Sequence, residues 1–140
     1  MERDARSVLK LEKLVFEKLS FERTGFSSDQ EFKWRVGSRI AQHKDEELYR
    51  VTLTLWGEKP DEYKLELSLT GFFYFESNAS ISDADKKELI SNNTIAILMP
   101  YLRSEVSLLT AQPNLECIVL PPFNINNLFN DTSDTPETNE

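Results

Sequence analysis

One cysteine, one histidine and four scattered glycines leave little material for several common kinds of chemistry. Cys117 has no partner for an internal disulfide, which fits a reducing compartment. In the run Leu115-Glu116-Cys117-Ile118-Val119 it reads as a small packed hydrophobe. Cys117 and His43 cannot make a structural zinc site unless several carboxylates join them, so no metal or other cofactor is expected. Gly25, Gly37, Gly57 and Gly71 are isolated, so no glycine-rich loop can cradle a phosphate, and HExxH, GxSxG, GxxxxGK[ST] and GxGxxG are all missing. His43 sits in Gln42-His43-Lys44-Asp45, which suits an exposed turn, and Glu46-Glu47 reads as solvated charge. An enzyme needs groups tuned by their neighbours, and nothing here compels an active site.

Long apolar runs are missing too. No window reaches the eighteen uninterrupted residues of a membrane helix. The first ten residues, MERDARSVLK, carry both signs of charge and lack the apolar stretch of a secretory signal. The expectation is a cytoplasmic protein with no membrane insertion. Basic residues are in deficit, and the formal charge is −8. Residues 130–140 hold Asp131, Asp134, Glu137 and Glu140 with no cation, the composition of a disordered acidic tail. Taking that −4 from the total leaves −4 for the body, residues 1–129, expected to be one domain. Phosphate backbones would repel such a chain, and no local string forms a basic stripe with interleaved aromatics. Nucleic acid is therefore not an expected partner.

What is present is periodicity. Tyr49, Val51, Leu53 and Leu55 alternate with Arg50, Thr52, Thr54 and Trp56, the pattern of a half-buried strand. Gly57-Glu58-Lys59-Pro60-Asp61 breaks it. Alternation then resumes at Tyr63, Leu65, Leu67, Leu69, Gly71, Phe73 and Phe75, which predicts an antiparallel hairpin. Phe72 to Phe75 is apolar on both faces, so a loop or another subunit is expected to cover the second side. Near the N-terminus, Leu9 and Leu11 share one parity, Leu14 and Phe16 the other, and Leu19 and Phe21 return to the first. That is a strand with two bulges, although Leu11, Leu14, Val15 and Leu19 also fit a helical spacing. Phe32, Trp34 and Val36 alternate briefly before Gly37.

The period then changes. Ser82 can cap a short helix at Asp83–Ile90. From Thr94 the residues Ile95, Leu98, Met99, Leu102, Val106 and Leu109 form one helical stripe opposite the polar Arg103, Ser104 and Glu105. Pro100 predicts a kink or an irregular start, and Pro113 ends the helix. Leu115–Leu120 reads as extended, and Asn126–Phe129 as one helical turn. The sum is an α+β chain of about four antiparallel strands and one long amphipathic helix laid on the sheet. A helix is roughly 10 Å wide and four strands at about 4.8 Å spacing are broader. One helix cannot bury a whole sheet face, and self-association would finish the core.

Several strings, in this order, resemble the SecB family of export chaperones. Asn93-Thr94-Ile95-Ala96-Ile97-Leu98-Met99-Pro100-Tyr101-Leu102-Arg103 is similar to the family's apolar segment, Pro-Tyr-x-Arg and helix. Pro113-Asn114-Leu115 and then Leu120-Pro121-Pro122-Phe123-Asn124 continue the likeness, which closes on Leu128-Phe129. Leu19-Ser20-Phe21-Glu22 resembles the family's Ile-Ser-Phe-Glu, and Gly71-Phe72-Phe73 its Gly-Ile-Phe. The resemblance covers nearly the whole body and favours a strand at the N-terminus. It implies a SecB-like fold, paired into dimers and then a homotetramer, that holds unfolded or preprotein clients in apolar grooves without ATP.

The resemblance also implies sites. Trp34, Val36 and Ile40 of the second strand, with Leu128 and Phe129, are the expected client-binding residues, against the simpler reading of core packing. Glu22 and Glu66 match acidic positions that dock the SecA translocase motor, while Lys18 and Lys64 occupy two further places in that patch. A cation there puts export in question. The alternatives are a dedicated chaperone of a toxin–antitoxin system, with an antitoxin as partner, and an adaptor of the same fold without general chaperone activity.

Overall fold

The computed structural model describes residues 9–43, 48–76 and 81–122. Strands β1 (Leu9–Arg23), β2 (Lys33–Gln42), β3 (Leu48–Lys59) and β4 (Tyr63–Phe75) precede one helix, α1 (Asp83–Thr110). All neighbouring strands are antiparallel, in the order β1-β4-β3-β2. This is the expected α+β arrangement of a four-stranded sheet with a long helix on it. The two hairpins are local, but β1 crosses to the far edge and pairs with β4, a Greek-key order. The acidic tail, the turn expected at Asn126–Phe129 and the candidate residues Leu128 and Phe129 lie outside the described residues.

The N-terminal ambiguity resolves as a strand. Leu9 and Leu11 stand opposite Phe75 and Phe73, Leu14 and Phe16 opposite Gly71 and Leu69, and Leu19 and Phe21 opposite Leu67 and Leu65. Register shifts at Glu12 and Glu17 separate the three pairs, at the two places where the apolar parity switches. Each bulge adds one residue, so the next apolar side chain returns to the helix-covered face.

That face carries Val51, Leu53 and Leu55 of β3, and Leu65, Leu67, Leu69 and Phe73 of β4, all buried. Above them lie Ile90, Ile95, Leu98, Met99, Leu102 and Val106 of α1. The helix is one continuous element of 28 residues rather than a short helix followed by a longer one. Ser82 caps it, accepting a hydrogen bond from the Asp85 amide at 3.1 Å, and Asp83 and Asp85 favour the positive end of its dipole. Pro100 does not break it. Pro100 and Ala96, whose carbonyl loses its helical donor, are both exposed, so water can take the vacant bond. Leu109 is only half-buried, whereas Ile90, Thr94 and Thr110, outside the expected stripe, are buried.

Beyond α1 the chain doubles back along it without joining the sheet. The Arg103 guanidinium donates to the Leu120 carbonyl at 3.2 and 3.0 Å, and Ser107 donates to the Ile118 carbonyl at 2.8 Å. Leu115, Ile118 and Leu120 turn inward. Cys117 does not: it is exposed, a correction to its reading as a packed hydrophobe. This returning segment presents only some of its side chains to the core, and Cys117 is not among them.

At the opposite end, the β3–β4 turn is tied to the end of β1. The buried Glu62 carboxylate lies 3.5 Å from Arg23 and 3.1 Å from Lys59. Arg23 also donates to the carbonyls of Gly25 and Asn114 at 3.1 and 3.2 Å. A buried carboxylate is tolerable only when paired, and here the pairing joins β1, the turn and the segment after α1. Next to it, burial first and the Glu62 charge second push the Tyr63 phenol up to about 12.

Gly71 lies beneath Leu98 of the helix. A Cβ there would stand 2.8 Å from Leu98 Cδ2 and 2.8 Å from a Phe73 ring carbon. Gly71→Val is therefore expected to lower the unfolding free energy by about 1–3 kcal/mol, the usual range for overpacking. Urea denaturation followed by circular dichroism measures it. An unchanged midpoint would contradict the close helix–sheet contact.

Candidate functional site

The register places the candidate client residues in one row. Trp34 is opposite Gly57, Val36 opposite Leu55 and Ile40 opposite Val51, so all three face the helix side. They differ in exposure. Val36 is 3% exposed and belongs to the core, while Trp34 and Ile40 are half-buried. The reason is width. α1 lies over β3 and β4, and side chains of the outer strands on the same face are covered only in part. Leu11, Leu14, Phe16 and Phe21 of β1 share this condition. β2 is also an edge strand, with β3 as its ladder partner among the described residues. An apolar row beside a sheet edge suits an extended polypeptide, which can place alternate side chains against the row and its main chain along the edge.

A second feature was not anticipated. The outer surface of α1 was read as polar through Arg103, Ser104 and Glu105. The structure turns Arg103 toward Leu120 and exposes Tyr101 (48%) and Leu108 (66%) instead. Their spacing of seven residues, two helical turns, was available in the sequence. The stronger stripe through Leu98 and Leu102 obscured it.

Among the described residues, the other sheet face has no helix on it. Thr52 and Thr70 hydroxyls lie 2.8 Å apart, Thr54 and Ser68 hydroxyls 3.1 Å apart, and Thr70 donates to the Glu17 carboxylate. Arg35 stacks over the Trp56 ring at 4.0 Å. A shallow depression of about 450 Å³ at the Arg23–Tyr63 end is lined by Arg35, Trp56, Lys64, Glu22 and Glu66, among others. No group of three or more metal-ligating side chains is found among the described residues.

No protein-family model matches the chain. Its sequence is 30% identical over 111 residues to the uncharacterized protein MJ0357 of Methanocaldococcus jannaschii, across 74% of this chain and 69% of that one. The chain belongs to that protein's family. Among solved structures, it is similar to the Mycobacterium tuberculosis Rv1957 SecB-like chaperone, determined in complex with a ChAD peptide from the Rv1956 HigA1 antitoxin. The TM-score is 0.70 at 10% identity, covering 84% of this chain and 89% of that chain. The fold is SecB-like.

Within this SecB-like fold, Glu22 and Glu66 do share the open face, but neither stands alone. Glu66 is 3.1 Å from Lys18 and Glu22 is 3.4 Å from Lys64. Lys64 and Glu66 are neighbours on one strand, yet both choose partners on β1, Glu22 directly opposite Lys64 and Lys18 diagonal to Glu66. The four charges cancel as two pairs.

Such exposed pairs are expected to contribute under about 1 kcal/mol each. A double-mutant cycle on Lys18→Ala and Glu66→Ala, followed by urea unfolding, should give a coupling in that range at low salt. In concentrated salt it should shrink toward zero. A salt-independent coupling well above it would mean that the pair is desolvated by something beyond this chain.

Proposed function

We propose that this chain is an ATP-independent holdase that keeps unfolded polypeptides soluble in an apolar groove along β2, working in the cytoplasm and without catalysis. The observation that carries the reading is the half-covered row of Trp34 and Ile40 beside the β2 edge. The likeness in fold to a chaperone captured with a peptide supports it. Clients would be held by apolar contact at about 25 cal/mol per Å² buried, with main-chain pairing that tolerates many sequences. Leu128 and Phe129 are proposed to extend the groove, and Val36 to shape its floor from within the core. Residues 1–129 would form the working body, with the charge of residues 130–140 keeping the loaded complex soluble.

A second reading is a dedicated antitoxin chaperone, and the peptide bound by the mycobacterial neighbour favours it. Export through the SecA motor has less support. Two lysines neutralise the carboxylates that the family resemblance assigns to docking, which leaves little field for a cationic motor segment. An adaptor role, on the same fold, would show as binding confined to a single partner.

Self-association completes the proposal. The β1 edge, with its partly covered apolar side chains, and the exposed Tyr101 and Leu108 are surfaces that a dimer of dimers would bury, leaving β2 open. Light scattering coupled to gel filtration should give four times 16.2 kDa. A stable monomer at micromolar concentration would overturn the tetramer. In a light-scattering assay, near-stoichiometric chain should suppress aggregation of a fast-aggregating unfolded protein, with no ATP added. Trp34→Ala and Ile40→Ser should weaken that suppression without changing the oligomer mass. Undiminished protection by both variants would remove this row from the site.

A further inference from the structure

The half-covered row on β2 is interrupted, and the interruption has a fixed length. On the helix-side face Trp34 and Ile40 are half-buried, whereas Val36 and Ser38 between them are only 3% and 8% exposed. Apolar surface is thus presented at two points six residues apart. A strand advances about 3.3 Å per residue, which sets them roughly 20 Å apart. Phe32, two residues before Trp34, is taken up elsewhere. Its ring fills the notch at Gly57, where a Cβ would stand 2.6 Å from it, and packs on the Tyr63 ring at 6.0 Å between centroids. Beyond Ile40 the next residue of the row is the polar Gln42.

The same residues aim at the outer edge of the sheet. At the end of the β2–β3 ladder the His43 amide donates to the Leu48 carbonyl at 2.9 Å. The register runs from Lys33 opposite Glu58 to Gln42 opposite Tyr49 without a shift. Peptide groups alternate between the two edges of a strand in step with the side chains. Odd-numbered residues therefore bond to β3, and Trp34, Val36, Ser38 and Ile40 direct their peptide groups away from it. An extended polypeptide laid along this edge would face Trp34 and Ile40 with side chains of one parity. Its other side chains fall on the face of Lys33, Arg35 and Arg39, where polar residues are accommodated. Trp34 already holds another contact within the chain, and only its exposed surface is used here.

Resting on the client-holding reading, we propose that the groove selects extended polypeptide segments with large apolar side chains at positions i and i+6. One anchor meets Trp34 and the other Ile40. A second anchor at i+5 or i+7 points to the wrong face. A second anchor at i+4 keeps the face but meets buried Val36 or Ser38, which have no surface left to cover. Residues between the anchors are not selected. Only two positions in seven are specified, so many unfolded sequences qualify.

The test is fluorescence anisotropy of short labelled peptides of Thr and Ser that carry two Leu residues at spacings of four, five, six or seven. Each is titrated with the full chain. Spacing six is expected to bind about tenfold or more tighter than the others, the effect of burying one further large apolar side chain. In Trp34→Ala and in Ile40→Ser that preference should vanish, because a single point of contact has no spacing to read. If Trp34→Ala fails to fold by circular dichroism, Ile40→Ser alone must abolish the preference. The proposal is overturned by equal affinity at all spacings, by an optimum at another spacing, or by a preference that survives in a folded variant. If no peptide binds while the chain still prevents aggregation of an unfolded protein, the spacing rule fails and the holdase reading stands. If aggregation is not suppressed either, both fail.

Discussion

The packing of α1 against β3 and β4 sets the terms for everything else in this molecule. Leu98 reaches the sheet over Gly71, where there is no Cβ to hold it off, and Leu102 and Val106 continue the contact. A helix roughly 10 Å wide then lies on a sheet of four strands. The central strands are sealed, and the inner faces of β1 and β2 are left half-covered. Partial cover leaves Trp34 and Ile40 half-buried, and the proposed groove rests on that exposure.

The two sheet faces are thereby assigned to different kinds of contact. The helix side is apolar, and the contact proposed for it depends on burial, which is non-directional. The open side carries threonine and serine hydroxyls, ion pairs and rings under cations. Contacts there are local, screened by salt and selective for charge. The Arg23–Glu62–Lys59 cluster matters to both, because it fastens the end of β1 to the β3–β4 turn and to the segment following α1. It thus adds to the ladder and the side-chain packing that hold β1 on β4.

Much of this was legible in the chain as written. The alternation in β3 and β4 and the stripe of α1 follow from fixed periods of two and 3.6 residues, which sequence displays directly. Even the bulges at Glu12 and Glu17 showed as parity switches among Leu11, Leu14, Phe16 and Leu19. The readings that failed were those where an element's neighbours decide. The sequence divides α1 into a short helix and a longer one with a kink or irregular start at Pro100, but Pro100 is exposed and the helix runs through as one element. Cys117 looked packed because its neighbours in sequence are apolar, yet its segment returns along the helix and leaves it outside. Of the candidate site residues, Trp34, Val36 and Ile40 share one face of β2, and only the structure separates buried Val36 from its half-covered companions.

Local pattern alone, then, determined the α+β class, the β3–β4 hairpin, the apolar stripe of α1 and the Ser82 cap, while it left β1 open between strand and helix. These depend on backbone geometry within a few residues, and a short window contains all the information needed. Strand order was not contained there. That β1 crosses to pair with β4, bringing together Lys18 and Glu66 or Lys13 and Phe72, is decided by long-range packing. Charge and apolar neighbours across a sheet arise from register, and register is set by the whole core being buried at once.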